Sequence, residues 1–394
     1  MSHLVVLALT LAAVATAWWL LAGARTLPGA AAQPDGPSVS VVVPARDEAA
    51  TLPALLDSVR RLTVAAPPEV VVVDDGSADG TSAVARAGGA RVVVPGTPPD
   101  GWTGKAWACH VGARSTSGDL LLFLDADTVL APHALSGLLE LHRRHGGLVT
   151  VQPEHRVVRP YEQLSAYFNV VSVMASSAFT RRPSARPMAF GPCLLTSRAD
   201  LDVVGGHAAV RAEILDDASL AAAYHRAGLP VVAALGAADV GMRSYPGGLG
   251  QLVSGWTKNI AAGASAASPR AALGTVVWVS VHHAVAVGAL LSVVQLATGW
   301  GALLTAGHPV AWLVAYAALA AQLRSVLRRV GTFRWWTWAL FPLPLLAFDL
   351  VFVRSAVLTV VRRSVRWRGR DVDLRRTSDA ESGAVTPRSP EEAA

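Results

Sequence analysis

Two kinds of hydrophobic pattern divide the chain. From Ser38 to about Gly236, short apolar or β-branched runs (SVSVVVPA, EVVVVDDG, ARVVVPG, DLLLFLDAD) alternate with stretches of helical spacing such as TLPALLDSVRRL and GTSAVARAGG. That alternation predicts an α/β domain built on a mostly parallel sheet. Outside it the apolar runs are longer. Leu4 to Ala22 carries no charge and is long enough to span a bilayer. Trp18 and Trp19 near its end suit the headgroup layer. A cleaved signal peptide is the rival reading, against which stand the missing basic leader and the long apolar core. Ala271 to Leu296 and roughly Leu303 to Leu323 each read as a membrane helix. A further segment, Thr337 to Val361, contains Pro342, Pro344, Asp349 and Arg354. The basic stretches flanking it, LRSVLRR and VRRSVRWRGR, cannot both be cytoplasmic if it crosses once. A broken or re-entrant segment, or a helical hairpin, is therefore expected.

The resulting organisation is a transmembrane helix over 1–24, a Gly/Pro/Ala linker over 25–37, an α/β domain over 38–265, a membrane region over 270–365 and a polar tail over 366–394. No Lys or Arg precedes the first apolar run, whereas Arg25 and Arg46 follow it. The positive-inside bias then puts the N-terminus outside and the α/β domain in the cytoplasm. Composition agrees with a membrane protein, since 52% of residues are hydrophobic and only 16% are charged. Two cysteines, Cys109 and Cys193, give neither a disulfide framework nor metal-ligand spacing. The net charge of +6 is carried almost wholly by arginine, with lysine only at Lys105 and Lys258. Those two positions are marked as places where a compact ammonium on a flexible stem is wanted.

Candidate chemistry begins at the strand Leu120 to Leu124, which ends in Asp125 and Asp127. In parallel sheets, ligands sit outside the carboxyl ends of strands. If the strand continued, both carboxylates would point the same way and repel, unless a hard divalent cation with oxygen ligands lay between them. The alternative is a turn or helix cap, for which Asp is also common. VVVVDDGSADGT (70–81) ends a second strand in Asp74 and Asp75. Such carboxylates can accept hydrogen bonds from a base or ribose, or the stretch is only a turn capped by Ser77 or Asp79. VVVPARDE places Arg46, Asp47 and Glu48 after the first strand, beyond Pro44. GWTGKAWA (101–108) offers Lys105 to a diphosphate, without the spacing of a nucleotide P-loop. ILDDASL (214–220) puts Asp216 and Asp217 at a helix start, either as dipole partners or as a general base. The segment 161–179 is either a core helix or an acceptor path.

Taken in order, strand-PARDE, strand-DDGS, the Gly-Lys loop, strand-DAD, LDD-x-x-L and GWTKN resemble the family 2 glycosyltransferases over about 38–263. GWTGKAWA and the later WRGR (367–370) are similar to membrane-bound members associated with carotenoid and hopanoid biosynthesis. The resemblance implies a GT-A nucleotide-sugar-binding fold. It implies that Asp75 holds the base with Asp47 or Glu48 nearby, and that Pro44, Asp74 and Lys105 belong to the donor site. Asp125 and Asp127 would bind Mn2+ or Mg2+ on the donor diphosphate. Asp217 would be the base, with Asp216 replacing the family's usual Glu. QLVSGW (251–256) departs from the Q-x-x-R-W of processive members, which speaks against a polymer synthase; Trp256 and Lys258 would still line the acceptor side. The implied reaction is inverting transfer from a nucleotide-sugar to a lipid-like acceptor in the bilayer. A polyprenyl-phosphate or envelope-polysaccharide transferase is the alternative, and a non-catalytic membrane scaffold keeping the fold is the alternative of another class. Nothing points to nucleic acid.

Overall fold

The computed structural model describes residues 3–30, 36–182, 187–213, 216–299, 309–362, 364–367 and 370–373. Ten strands belong to the α/β domain: β1 (Val39–Ala45), β2 (Glu69–Asp74), β3 (Arg91–Val93), β4 (Leu120–Leu124), β5 (Thr128–Leu130), β6 (Leu148–Gln152), β7 (Glu154–His155), β8 (Cys193–Ser197), β9 (Val231–Leu235) and β10 (Val240–Met242). Seven form one sheet in the order β3-β2-β1-β4-β8-β6-β9. All its pairings are parallel except those of β8, which runs antiparallel to both β4 and β6. A small second sheet, β5-β10-β7, sits beyond it.

The alternation of side chains explains the layers. Val41, Val43, Leu122 and Leu124 face one side, against α2 (Leu52–Arg60), α3 (Thr81–Ala87) and α5 (Ala134–His145). Val42, Leu121 and Phe123 face the other, against α4 (Gly104–Ser115), α7 (Arg198–Val203) and α8 (Asp216–Arg226). Every residue of β4 is buried, as its unbroken apolar run requires. From β1 the chain winds outward through β2 to β3, then returns to β4 on the other side of β1. The crevice at the carboxyl ends of β1 and β4 is thus a topological switch point, where open α/β sheets bind ligands.

A second core is made by α1 (His3–Leu21), α6 (Ala166–Ala175), α9 (Leu249–Ala266), α10 (Pro269–Thr298) and α11 (Pro309–Val330), with α12 (Trp335–Ala339) and α13 (Pro342–Arg362) closing it. Among the described residues, α1, α10 and α11 are the helices long and apolar enough to cross a membrane. Large apolar side chains remain exposed along them, including Leu7, Leu11, Leu273, Leu290 and Val314, as lipid-facing positions would be. Leu303, the expected start of the third such helix, lies outside the described residues, and α11 is described from Pro309. It continues past Leu323 because Val326, Leu327 and Val330 still face the core. The segment expected over 337–361 comprises the end of α12 and one continuous helix, α13, so the break lies at Leu340 and Phe341, ahead of both prolines. Pro342 starts α13, where its missing N–H costs nothing.

Three expectations change. The strand β4 stops at Leu124, and the chain turns at once, with Thr128 N–H donating to Asp125 O at 3.0 Å. The two-residue side-chain alternation therefore does not apply to Asp125 and Asp127. The linker is not free: Leu235 N–H donates to Arg25 O at 2.8 Å, and Leu27 is buried in the sheet core. Finally, β11 (Ser364–Trp367) and β12 (Arg370–Asp373) pair as an antiparallel hairpin across the expected boundary between membrane region and tail. Backbone pairing, which composition does not register, makes the difference; the tail from Ser378 lies outside the described residues.

Candidate active site

One pocket occupies the switch-point crevice. Pro44 of β1 and Phe123, Leu124 and Asp125 at the end of β4 form one wall. Lys105 and Cys109 of α4, Gly191 and Leu194 at β8, His207, and Asp216, Asp217 and Leu220 at α8 complete it. Two helix N-termini thus meet there. Thr103 caps α4, its hydroxyl accepting Ala106 N–H at 3.3 Å, which brings Lys105 into the first turn. At α8 the first turn carries both acids, a favourable position against the helix dipole. Converging N-termini favour an anionic group such as a diphosphate.

Lys105 Nζ donates to Asp125 Oδ1 at 2.7 Å. Burial would push the ammonium down, but Asp125, Asp216 and Asp217 outweigh it and hold Lys105 well above its ordinary value, fully charged. Asp217 accepts two backbone N–H groups, Gly191 at 2.8 Å on Oδ2 and Ala218 at 2.9 Å on Oδ1. Burial pushes both Asp216 and Asp217 up, and Lys105 only partly offsets this. A carboxylate raised in this way is a better proton acceptor at neutral pH. Burial also pushes the Cys109 thiol far up, so it is inert, and pushes His207 down to about 3, so that imidazole is neutral. His207 packs edge-on against Phe123, with ring centroids 4.7 Å apart.

Asp127 lies on the other side of the turn. Burial, then the charges of Asp125 and Glu48, push it up to about 7. Asp125, Asp127, Asp216, Asp217 and Glu48 give this region far more negative than positive charge. A donor diphosphate would be repelled from it unless a divalent cation came too, so the donor set fits a hard metal ion. Among the described residues no three His, Cys, Asp or Glu side chains converge as a closed cage. A cation held by Asp125 and Asp127 would draw its remaining ligands from the donor.

The ends of β1 and β2 form an adjoining wall. Asp75 approaches Arg46 at 3.5 Å and faces Gly104, where an added Cβ would lie 2.3 Å from Asp75 Oδ2. Asp47 adopts a left-handed conformation (φ 54°), which lets its carboxylate accept Ala78 N–H at 2.8 Å while its own N–H meets Ser77 Oγ at 2.9 Å. Glu48 accepts the Thr51 hydroxyl at 2.7 Å. Asp74 does not open towards a ligand. Its carboxylate accepts Ser77 N–H at 2.8 Å and the Ser82 hydroxyl, so it builds the turn that presents Asp75.

Trp256 and Lys258 do not line the pocket. Trp256 is 7% exposed, donates its indole N–H to Ser165 Oγ at 3.1 Å and stacks on Phe168 at 4.9 Å. It packs there because the 3-10 turn over Pro160–Ser165 and α6 fill the space beside α9. Tyr245 was not expected at all: Asp127 contributes to raising its phenol above the ordinary range, after burial, and its ring meets Trp256 at 5.7 Å. Phe168 continues this aromatic contact to Phe348 of α13 at 5.1 Å. A chain of packed rings therefore runs from Tyr245 into the apolar helices.

A GT-A type α/β sheet with an acidic switch-point pocket is the architecture of a glycosyltransferase. The chain belongs to the family 2 glycosyltransferases. Residues 40–215 match the family model described as Glycosyl transferase family 2. A 4,4'-diaponeurosporenoate glycosyltransferase of Staphylococcus haemolyticus (strain JCSC1435) is 33% identical over 345 residues, spanning 86% of this chain and 89% of the relative. The protein of that name in Staphylococcus aureus (strain MRSA252) is 33% identical over 343 residues, with 86% and 88% covered. Among solved structures, a mannosyltransferase from Pyrobaculum calidifontis in complex with GDP-Man and Mn2+ has 19% identity and a TM-score of 0.47, covering 89% of this chain and 98% of that one.

Proposed function

We propose that this glycosyltransferase moves a sugar from a nucleotide-sugar to an apolar, membrane-dissolved acceptor of carotenoid type, through a hydroxyl or carboxyl group, with inversion at the anomeric carbon. The packing of Tyr245 on Trp256, Trp256 on Phe168 and Phe168 on Phe348, which joins the α/β domain to the apolar helices, is the observation that carries this reading. Trp256, Phe168 and Phe348 are buried, so they fasten the α/β domain to the apolar helices and bring the acidic pocket close to an acceptor held in the bilayer. The name shared by the relatives, 4,4'-diaponeurosporenoate glycosyltransferase, supports the same class of acceptor.

In this reading Asp75 accepts hydrogen bonds from the nucleotide base, and Asp74 and Asp47 hold the turn that presents it. Asp125 and Asp127 hold Mn2+ or Mg2+, which when bound supplies a Lewis acid against charge building on the leaving diphosphate. Lys105 keeps the carboxylates apart electrically and offers a charged donor to the diphosphate. Asp217, fixed by two backbone N–H groups, takes the proton of a hydroxyl acceptor, with Asp216 beside it. An acceptor carboxylic acid is already ionised at neutral pH and needs no base. The α/β domain is assigned to the cytoplasm, a side that the charge bias after α1 supports.

The test is transfer by the purified full-length protein in detergent, with a panel of nucleotide-sugars, Mn2+ and 4,4'-diaponeurosporenoate. A glycosylated product resolved by mass spectrometry supports the reading. Transfer only to a polyprenyl phosphate would replace it.

A further inference from the structure

A second pocket lies where α11 meets the α/β domain. The last turns of α11 carry Arg324 and Arg328, four residues apart and so on one face. The chain then turns at Gly331 and is tied to β7, with Thr332 N–H donating to His155 O at 3.0 Å. Phe333 and α12 fold back, so that Trp335 and Trp338 line an open groove together with the two arginines and Leu327. The guanidinium of Arg324 lies 5.5 Å from the centroid of the Trp338 ring. The open groove holds about 190 Å³ and shares no residue with the catalytic pocket.

Its chemistry is specific. Among the described residues neither Arg324 nor Arg328 is paired with a carboxylate. Two guanidinium groups four residues apart can hold a phosphate by several parallel N–H bonds. The remaining walls are apolar and aromatic. Trp335 is 68% exposed, a position that tryptophan favours at the membrane–water boundary. Leu340, just beyond α12, is also exposed and continues the apolar surface. The ligand that matches is anionic at one end and apolar at the other, and the pocket sits at the end of a helix long and apolar enough to span the bilayer.

We propose that this pocket binds the phosphate-bearing headgroup of one anionic bilayer lipid. The lipid clasps the corner between α11 and α12, and through Thr332 and His155 it steadies the edge strand β7. A free phosphate shares the headgroup's chemistry, and the experiment separates the two sources. The detergent-purified full-length protein is mixed with phosphatidylglycerol, phosphatidylcholine or inorganic phosphate. Retention is read by native mass spectrometry and stability by thermal melting. Wild type is expected to retain one phosphatidylglycerol and melt higher with it, and to respond to neither of the others. Arg324→Gln combined with Arg328→Gln should weaken retention at least about tenfold, the loss of one or more charge-assisted hydrogen bonds. Both side chains are exposed, so lipid-free melting should match wild type. The paired Lys substitutions, which keep the charge but lose the planar fork, should fall between. Equal retention of the two lipids, or undiminished retention by the double Gln variant, overturns the proposal. A stabilisation by inorganic phosphate equal to that by lipid overturns the lipid as ligand.

Discussion

Asp217→Asn separates catalysis from structure, and the two effects have different sizes. The wild-type carboxylate uses both oxygens, one on Gly191 N–H and one on Ala218 N–H. An asparagine has one oxygen, so one of those N–H groups faces an NH2 instead. A buried donor left unsatisfied costs about 1–3 kcal/mol. Against a total stability of about 5–15 kcal/mol, that leaves nearly all molecules folded at assay temperature. Lost stability alone therefore cannot slow turnover a hundredfold. Loss of a general base can, since such groups contribute roughly 10²–10⁴-fold. With a hydroxyl-bearing apolar acceptor, kcat is expected to drop by about that range, while donor affinity changes by no more than a few-fold. With a carboxylic acid acceptor the proton is already gone, and the drop should be smaller. The assay measures nucleotide affinity, melting temperature and turnover on both acceptors from one preparation. A lower melting temperature with turnover within a few-fold of wild type on both would refute the role. Asp217 would then be the brace between Gly191 and α8, and Asp216 the next candidate.

Other perturbations test neighbouring parts of the account. Asp127→Ala removes a carboxylate that Asp125 and Glu48 repel; it should leave melting unchanged or higher yet abolish manganese-dependent turnover, and a wild-type manganese titration would contradict the assignment. Gly104→Ala puts a methyl 2.3 Å from the present position of Asp75 Oδ2; displaced Asp75 should raise the donor KM with kcat little changed, as nucleotide calorimetry and kinetics would show. His155 is 3% exposed, and burial pushes its pKa down to about 4 from an ordinary value near 6.5. The unfolded chain then binds the extra proton first, so this contribution is intact above pH 6.5 and fades as pH falls towards 4, by about 3 kcal/mol at most; melts at pH 7 and pH 5 should show a shallower acid loss in His155→Asn. Both native cysteines are buried, so Ala66→Cys on an exposed loop reports topology; it should resist a membrane-impermeant maleimide in intact cells and react after permeabilisation.

Much of the fold was legible because burial on both faces leaves a signature. The unbroken apolar run of β4 fits an interior strand, and its acidic end therefore fell at the carboxyl end of the sheet, where ligands bind. The direction of β8 left no such mark, since CLLTS reads alike in either orientation. For the site, residue types and order located Lys105, Asp125 and Asp217 but could not say which carboxylates face inward. Asp74 is consumed by Ser77 and Ser82, one of them eight residues on, and Asp75 is left open. The packing of Trp256 left no local mark either, because Ser165 and Phe168 reach it from a distant part of the chain. His207, Gly191 and Tyr245 arrive by tertiary folding alone and have no local pattern to betray them. Prolines at 342 and 344 announced a break, yet only the structure shows it as a short α12 followed by a full helix.

The central claim is that sugar reaches an apolar acceptor within the bilayer. Mass spectrometry of membrane lipids from cells with the protein and cells without it measures that directly. The account predicts a glycosylated carotenoid-type compound present with the protein and replaced by its unglycosylated form without it. Unchanged apolar compounds, together with altered polyprenyl phosphates or envelope polysaccharide, would contradict the claim.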